Sequence, residues 1–493
     1  MYKKLDSDQM SIYDFVLPFG GHLDKDNRWV KLRESIDWKV IDEVYEKNFD
    51  NKESGNEAYP ACLAFGSLYI QRKEGFTDEE LVNQLSENPY MQYFVGYKEF
   101  STRRPFDSSL LVTFRKRLTD EMMNEISEKM FLKKDDDNKD NEGGASTEGN
   151  DKAGDQETAN KGTVIIDATC TPADIAYPTD IELCDKARRW TEVILDHLWM
   201  EYGLLEGHKS KPRTYRETAR KRFLNLNKRR KKSPKKIRKE IRYQLGCIRR
   251  NLNYIEQYGM LYGYDKLFKI EADRLGTIYK FYEQQKYMYD NKVHSVENRI
   301  VSLSQPWVRP IVRGKSKAPT EFGAKISISV VDGYSFLDKL SFDAYNEGEH
   351  EEFVAVIEKY RQRFGYYPGR VLADKIYRSQ ANRRYCKEHG IRISGPRLGR
   401  KTKDNAEEIR QELKEIGERN AVEGKFGNGK RKLGLGLIMG KLKETSGSMI
   451  GMDIFVLNME HRMRECAALC CAFLRNRIIT LFGSCIQVAQ MAV

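Results

Sequence analysis

Residues 133–162, KKDDDNKDNEGGASTEGNDKAGDQETANKG, contain no aromatic side chain and no aliphatic one larger than alanine. A stretch like this buries too little apolar surface to offset the entropy lost on ordering a chain. It reads as an acidic, disordered linker, and it divides the protein. One unit must be complete by residue 132, and another must begin near Thr163.

The first unit, 1–132, reads as helical. TDEELVNQL opens with Thr77 and carries Glu80 three positions later, the pattern of a capping box. SSLLVTFRKRL (108–118) places Leu111, Phe114 and Leu118 at helical spacing with basic residues between them. Short helices with Arg and Lys on the outer face suit DNA binding. An ordinary helical bundle accounts for the same pattern.

Beyond the linker, strand-like runs appear: TVIIDA at 163–168, KISISVV at 325–331, RVLAD at 370–374 and GIRIS at 390–394. A helical pattern, EEFVAVIEKYRQRFG at 351–365, separates two of them. Strands alternating with helices indicate an α/β domain, here over 163–187 and 300–460, with a terminal helix over 461–493. The alternation is interrupted from 188 to 299. There Ile237, Ile241, Leu245, Ile248, Leu252 and Ile255 follow spacings of three and four, which predicts a long amphipathic helix within an inserted helical hairpin.

That insertion carries the charge. From His208 to Arg250 there are 19 Lys and Arg against two acids, Glu217 and Glu240, a local charge of +17 in a chain whose total is +12. The remainder of the chain is therefore acidic, and the local block points to a polyanion partner. Arg229, Arg230, Lys231, Lys232, Lys235 and Lys236 form its densest part and are candidates for contact with a nucleic-acid backbone. A solvated helix face is the alternative.

Two apolar strands run into a carboxylate, TVIID at Asp167 and RVLAD at Asp374. The end of a buried strand is where a charge can project into a cleft, because its interior offers no such place. In ERNAVEGKFGNGKRKLG, Arg419, Glu423, Phe426 and Lys430 follow spacings of four, three and four and share a face if the helix reaches that far. Three converging carboxylates suit two Mg²⁺ ions, which prefer oxygen ligands. Such a pair supports phosphodiester chemistry. Spacing alone selects weakly among 73 acids.

Here the residues resemble a family. The chain looks like a bacterial insertion-sequence transposase of the DDE class, in the group with a Y-x2-R-x3-E-x6-K signature. Arg419, Glu423 and Lys430 match with the signature's spacing, and Ile416 stands at the tyrosine position. TVIIDATCTPADIAYPTD and VLADKIYRSQANRRYCKEHGI resemble the first and second aspartate regions, and the first 120 residues resemble the helical domain that often precedes this core.

The resemblance implies an RNase H-like core with Asp167 on the first strand, Asp374 at the end of the fourth, and Glu423 on a following helix. These would be catalytic residues and ligands of two Mg²⁺ or Mn²⁺ ions. Arg419 and Lys430 would hold phosphates. It also implies cleavage of double-stranded DNA at terminal inverted repeats, joining of the 3′-hydroxyl to target DNA, and a homodimer in the synaptic complex. An inactive DNA-binding protein of the same fold and a structure-selective nuclease are the rival readings.

Other signals read as structural. Asp174 and Asp180 suit turns and caps, and Asp332-Gly333 suits a hairpin turn. Glu418 rivals Glu423 but lacks its basic flanks. His461, Cys466, Cys470 and Cys471 lie on an apolar helix that reads as buried, not as a zinc site. Trp190 and Trp307 read as packing residues. No apolar run reaches the roughly 18–20 residues of a membrane helix, and MYKKLDSDQM lacks a signal-peptide core. The expected location is the reducing bacterial cytoplasm, at the nucleoid when DNA is bound.

Overall fold

The computed structural model describes residues 11–17, 21–49, 57–132, 160–203, 210–312, 320–395 and 406–491, without the side chains of 406, 408 and 472–491. Apart from residues 160–162, the expected linker lies outside the described residues.

The N-terminal region contains α1 (Arg28–Ser35), α2 (Trp38–Glu46), α3 (Ala61–Glu74), α4 (Asp78–Glu87), α5 (Pro89–Phe94), α6 (Leu110–Arg117) and α7 (Asp120–Phe131). Thr77 and Glu80 form the expected capping box on α4. Leu111, Phe114 and Leu118 are fully buried, as their spacing requires. The basic outer face of α6 is only partly realised. Arg115 turns inward, where it meets both Asp78, at 3.0 Å, and Gln71, at 2.8 Å. A carboxylate at the start of α4 gives it an interior partner, which spacing within α6 cannot reveal.

The sheet comprises β1 (Thr163–Pro172), β2 (Arg309–Val312), β3 (Thr320–Val331), β4 (Tyr334–Ser341), β5 (Arg370–Leu372) and β6 (Arg392–Ile393). Its order is β2-β3-β1-β5-β6, with β4 also on β3. β3 runs antiparallel to β1, β2 and β4, whereas β5 lies parallel to β1 and β6 to β5. The β3–β4 turn places Asp332 at φ 50° and Gly333 at φ 82°, the left-handed pair of a tight hairpin. His461 covers this turn, with Nε2 3.3 Å from the Asp332 carbonyl.

Helix α8 (Asp180–Leu198), α9 (Arg216–Asn227), α10 (Pro234–Tyr262) and α11 (Lys269–Asn291) separate β1 from β2. The expected hairpin from 188 is therefore a larger bundle that begins at Asp180. Leu195, Leu245, Ile248, Leu252, Ile255 and Phe281 form its own core. One face of α10 alone is too wide for one partner, so α8 and α11 both pack on it. Trp190 packs on this core, flanked by Lys186 and Arg274.

The remaining helices are α12 (His350–Phe364), α13 (Gln380–Glu388), α14 (Ala406–Asn428) and α15 (Lys443–Met491). Helix α15 begins well before the expected residue 461. Its segment 449–459 is buried between the N-terminal helices and the sheet. It still meets the sheet at Glu465, which accepts from Tyr334 Oη at 2.7 Å, and Cys466, Cys470 and Cys471 are exposed, contrary to the expected buried helix. Among the described residues no helix is long and apolar enough to cross a membrane.

The N-terminal region and the sheet share one core. Phe65, Phe94 and Phe114 belong to the same apolar cluster as Ile166, Phe336, Phe353 and Phe455. Polar ties cross the same boundary: Arg72 to Asp453, Arg363 to Glu128 at 2.7 Å, and the Leu337 amide to Asn124 at 3.0 Å.

Asp120, at the start of α7, sits where α7 packs on Gly447 and Gly451 of α15. Burial, with the neighbouring Glu121 charge, pushes its carboxyl from 3.8 up to about 6. Between these values the folded chain holds a proton that the unfolded chain has lost. Stability therefore falls as pH rises through that window and stays lower above it. Asp120→Asn should raise the melting temperature by roughly 2–4 °C at pH 7.5, and by much less at pH 4.5. Equal shifts in thermal melts at the two pH values would show that the buried charge is not the cause.

Candidate functional site

The site is built on the parallel pairing of β1 with β5. Val164 lies opposite Val371 and Ile165 opposite Leu372. The β1–β5 ladder stops there, and Asp167 and Asp374 each lie two residues beyond its last pair. The apolar run predicts a strand ending at Asp167, but β1 continues for five residues to Pro172. It can continue because β3 pairs with it along its other edge as far as Pro172. The strand that ends here is β5, and Asp167 lies where β1 loses that neighbour. Asp374 then caps a 3-10 turn, Lys375–Tyr377, and accepts the Lys375 amide at 2.7 Å. With the short β2 set aside, Asp374 follows the fourth strand.

Helix α14 brings the third carboxylate. Val422 and Phe426 are buried against Ile326, Ile328 and Ile454, which fixes the inward face. Glu415 pairs with Arg392 of β6 at 2.8 Å, and Glu418 with Arg370 of β5 at 2.9 Å. These two clamps hold the helix across the parallel strands and give Glu418 a structural partner. Sequence reasoning named Glu418 only as a rival to Glu423 and missed Glu415, Arg370 and Arg392, although acids three apart on one helix and an arginine in each short strand were there to be read. Glu423, one turn beyond, is exposed.

Arg419 stands among the three acids. Its guanidinium lies 3.1 Å from Asp374 and 3.8 Å from Glu423. Burial pushes the Asp167 carboxyl above its usual range. Asp374 and Glu423 push it the same way, while the Ala168 amide and Arg419 oppose them. The three carboxylates thus feel one another, and Arg419 is a cation they have in common. Among the described residues no three acid, imidazole or thiol groups are gathered tightly enough to hold a metal ion. The donor chemistry nevertheless fits Mg²⁺ or Mn²⁺, since all three donors are hard oxygens and two are open to solvent.

Lys430 departs from the expected face. The α-helix ends at Asn428, and Gly429–Leu433 form a π-helical turn. Gly429 sits against Leu435 and Leu457, where a side chain would clash, so the helix widens into a π turn at a glycine and carries Lys430 off the α14 spiral. Ile416, at the tyrosine position, is half exposed.

A cavity of about 330 Å³ adjoins Asp167 on the side of α12, with Ile166, Ile328 and Tyr377 in its wall. The six basic candidates, Arg229, Arg230, Lys231, Lys232, Lys235 and Lys236, lie together where α9 turns into α10, and all are exposed. Lys232 bonds Asn227 at 2.9 Å. Nearby Arg222 is instead tied to Glu240 at 2.8 Å, so not every base in the block faces outward.

Comparison with known proteins bears on the family and not on the individual site residues. Residues 371–460 match the family described as "Transposase DDE domain". That span includes Asp374, Arg419, Glu423 and Lys430 but not Asp167. Residues 18–117 match "Transposase domain (DUF772)". A Rhizobium meliloti protein described as "Uncharacterized protein ORF8 in nfe locus" is 30% identical over 158 residues, covering 32% of this chain and 68% of the relative. No solved structure matches the chain. A helical transposase domain in front and a DDE domain behind it make this chain an insertion-sequence transposase of the DDE class.

Proposed function

We propose that this transposase cleaves DNA at its element's terminal inverted repeats and joins the freed 3′-hydroxyl to target DNA, with Asp167, Asp374 and Glu423 as catalytic metal ligands on an RNase H-like sheet. The observation that carries the reading is the convergence of the three carboxylates on Arg419 at the end of β5. The strand order supports the fold assignment: antiparallel strands on one side of β1 and parallel strands on the other. Two Mg²⁺ or Mn²⁺ ions held there would activate a water or a 3′-hydroxyl and stabilise the leaving oxygen.

The chain's own groups supply the rest. The register of β1 and β5 orients two carboxylates toward one place, and the Glu415 and Glu418 clamps position the third. Arg419 would hold two phosphate oxygens by a bidentate contact, and Lys430, off the α14 face, would add positive charge only at longer range. Water attack releases a 3′-hydroxyl and a 5′-phosphate. That hydroxyl then displaces a 3′-oxygen in the target, so one phosphodiester forms as another breaks. Two copies of the chain, each holding one element end, would form the synaptic complex.

The test is a plasmid assay with DNA carrying the terminal repeats, wild type beside Asp374→Asn. Cleavage with a joined product supports transposition. Cleavage without joining supports the nuclease reading, and binding alone supports the non-catalytic one.

The basic turn between α9 and α10 gives a separate expectation. Neutralising Arg229, Arg230, Lys231 and Lys232 to Ala should flatten the slope of log K against log salt by about 0.9 for each phosphate that these side chains neutralise in the wild type. Fluorescence anisotropy between 50 and 200 mM salt measures it, within the range over which such binding is salt-sensitive. An unchanged slope would remove this turn from the DNA interface.

A further inference from the structure

We infer that Arg419 is the resident counter-ion of the acid site, competing with divalent metal for Asp374 and Glu423, so that its release to DNA phosphate and the entry of metal favour one another. The inference rests on the metal-ligand reading of the three carboxylates and adds a regulatory role to the arginine. Among the described residues its guanidinium is the cation paired with Asp374, at 3.1 Å, and Glu423, at 3.8 Å, and its charge also reaches Asp167. Neighbouring carboxylates repel one another, and a guanidinium beside them relieves part of that repulsion. A divalent ion relieves more, but it must first displace the ion pairs already made.

The structure confines this exchange to a side chain. Helix α14 is fixed to β5 and β6 through Glu418–Arg370 and Glu415–Arg392, so Arg419 cannot leave by moving the helix. Its side chain is a quarter exposed, whereas those of Asp374 and Glu423 are more than half exposed. Incoming ions therefore meet the acids before the guanidinium, and the long arginine stem can rotate outward toward DNA. Metal and DNA loading become coupled. A phosphate that takes up Arg419 frees the carboxylates, and metal that takes the carboxylates frees Arg419. By linkage each should tighten the other.

The experiment is calorimetric titration of the DNA-free full chain with Mn²⁺, using wild type, Arg419→Gln, Arg419→Lys and Asp374→Asn. Arg419→Gln is expected to bind Mn²⁺ roughly three- to tenfold more tightly, the scale of losing two part-exposed ion pairs. Arg419→Lys keeps the charge and should stay near wild type. Unchanged or weaker binding by Arg419→Gln, with Asp374→Asn still weakened, would overturn the counter-ion role and leave the ligand assignment standing. An Asp374→Asn isotherm equal to wild type would instead overturn the ligand assignment itself. Equal tightening in Arg419→Lys and Arg419→Gln would also overturn the inference, because charge would not be what competes.

Discussion

Asp374→Asn is expected to lose cleavage of repeat-bearing DNA by at least ~10²–10³-fold while DNA affinity stays within a small factor, a loss of the size seen when one preorganised electrostatic contact is removed. The substitution is mild for the fold. Asp374 is more than half exposed and makes its cap through an oxygen that asparagine also possesses. It removes one negative charge from three, which is what holding divalent ions requires. The change should therefore appear in the rate at saturating DNA and not in the binding curve. Cleavage at the wild-type rate would mean that the matching placement of Asp167 and Asp374 is structural coincidence. Loss of cleavage together with loss of DNA binding would point to misfolding or to a role in holding DNA.

Arg72→Ala is expected to destabilise the protein by about 3–5 kcal/mol, the range for stranding one partner of a buried ion pair. Arg72 Nε and Nη2 each lie 2.6 Å from an Asp453 carboxylate oxygen, and the two side chains are 9% and 0% exposed. Removing the guanidinium leaves Asp453 charged in a dry interface, where burial already pushes its carboxyl upward. The double variant Arg72→Met with Asp453→Leu should recover most of the loss, since it strands no charge. Denaturant unfolding of the two variants decides the matter. A cost below about 1 kcal/mol for Arg72→Ala would place the pair among solvent-screened surface bridges.

Much of the fold is legible in local pattern. The Thr77–Glu80 box, the buried face of α10 and the Asp332-Gly333 turn are each fixed by residues close together in the chain. The features that escaped are those decided by partners far away. Asp167 reads as the end of a strand because the apolar run stops there, yet the ladder with β3 carries β1 onward. Arg115 reads as an outward base because Asp78 is not its neighbour in sequence. The exposed cysteines on α15 read as core because apolarity is visible in a sequence and exposure is not. Even the matching placement of Asp167 and Asp374 depends on a register that neither segment prints by itself.

The shared core of the N-terminal helices and the sheet has a consequence for how DNA is measured. A recognition domain on a flexible tether can read a sequence at variable distance from the cut. Here Phe65 and Phe114 pack in one cluster with Phe336 and Phe455, and Arg72 is locked to Asp453. Any base contact made by the N-terminal helices is thereby held at a set distance from Asp167 and Asp374. If the N-terminal helices read bases and these carboxylates cut, the interval between the two would be a dimension of the folded protein, and an element end with one base pair inserted in that interval would present the wrong phosphate to the carboxylates.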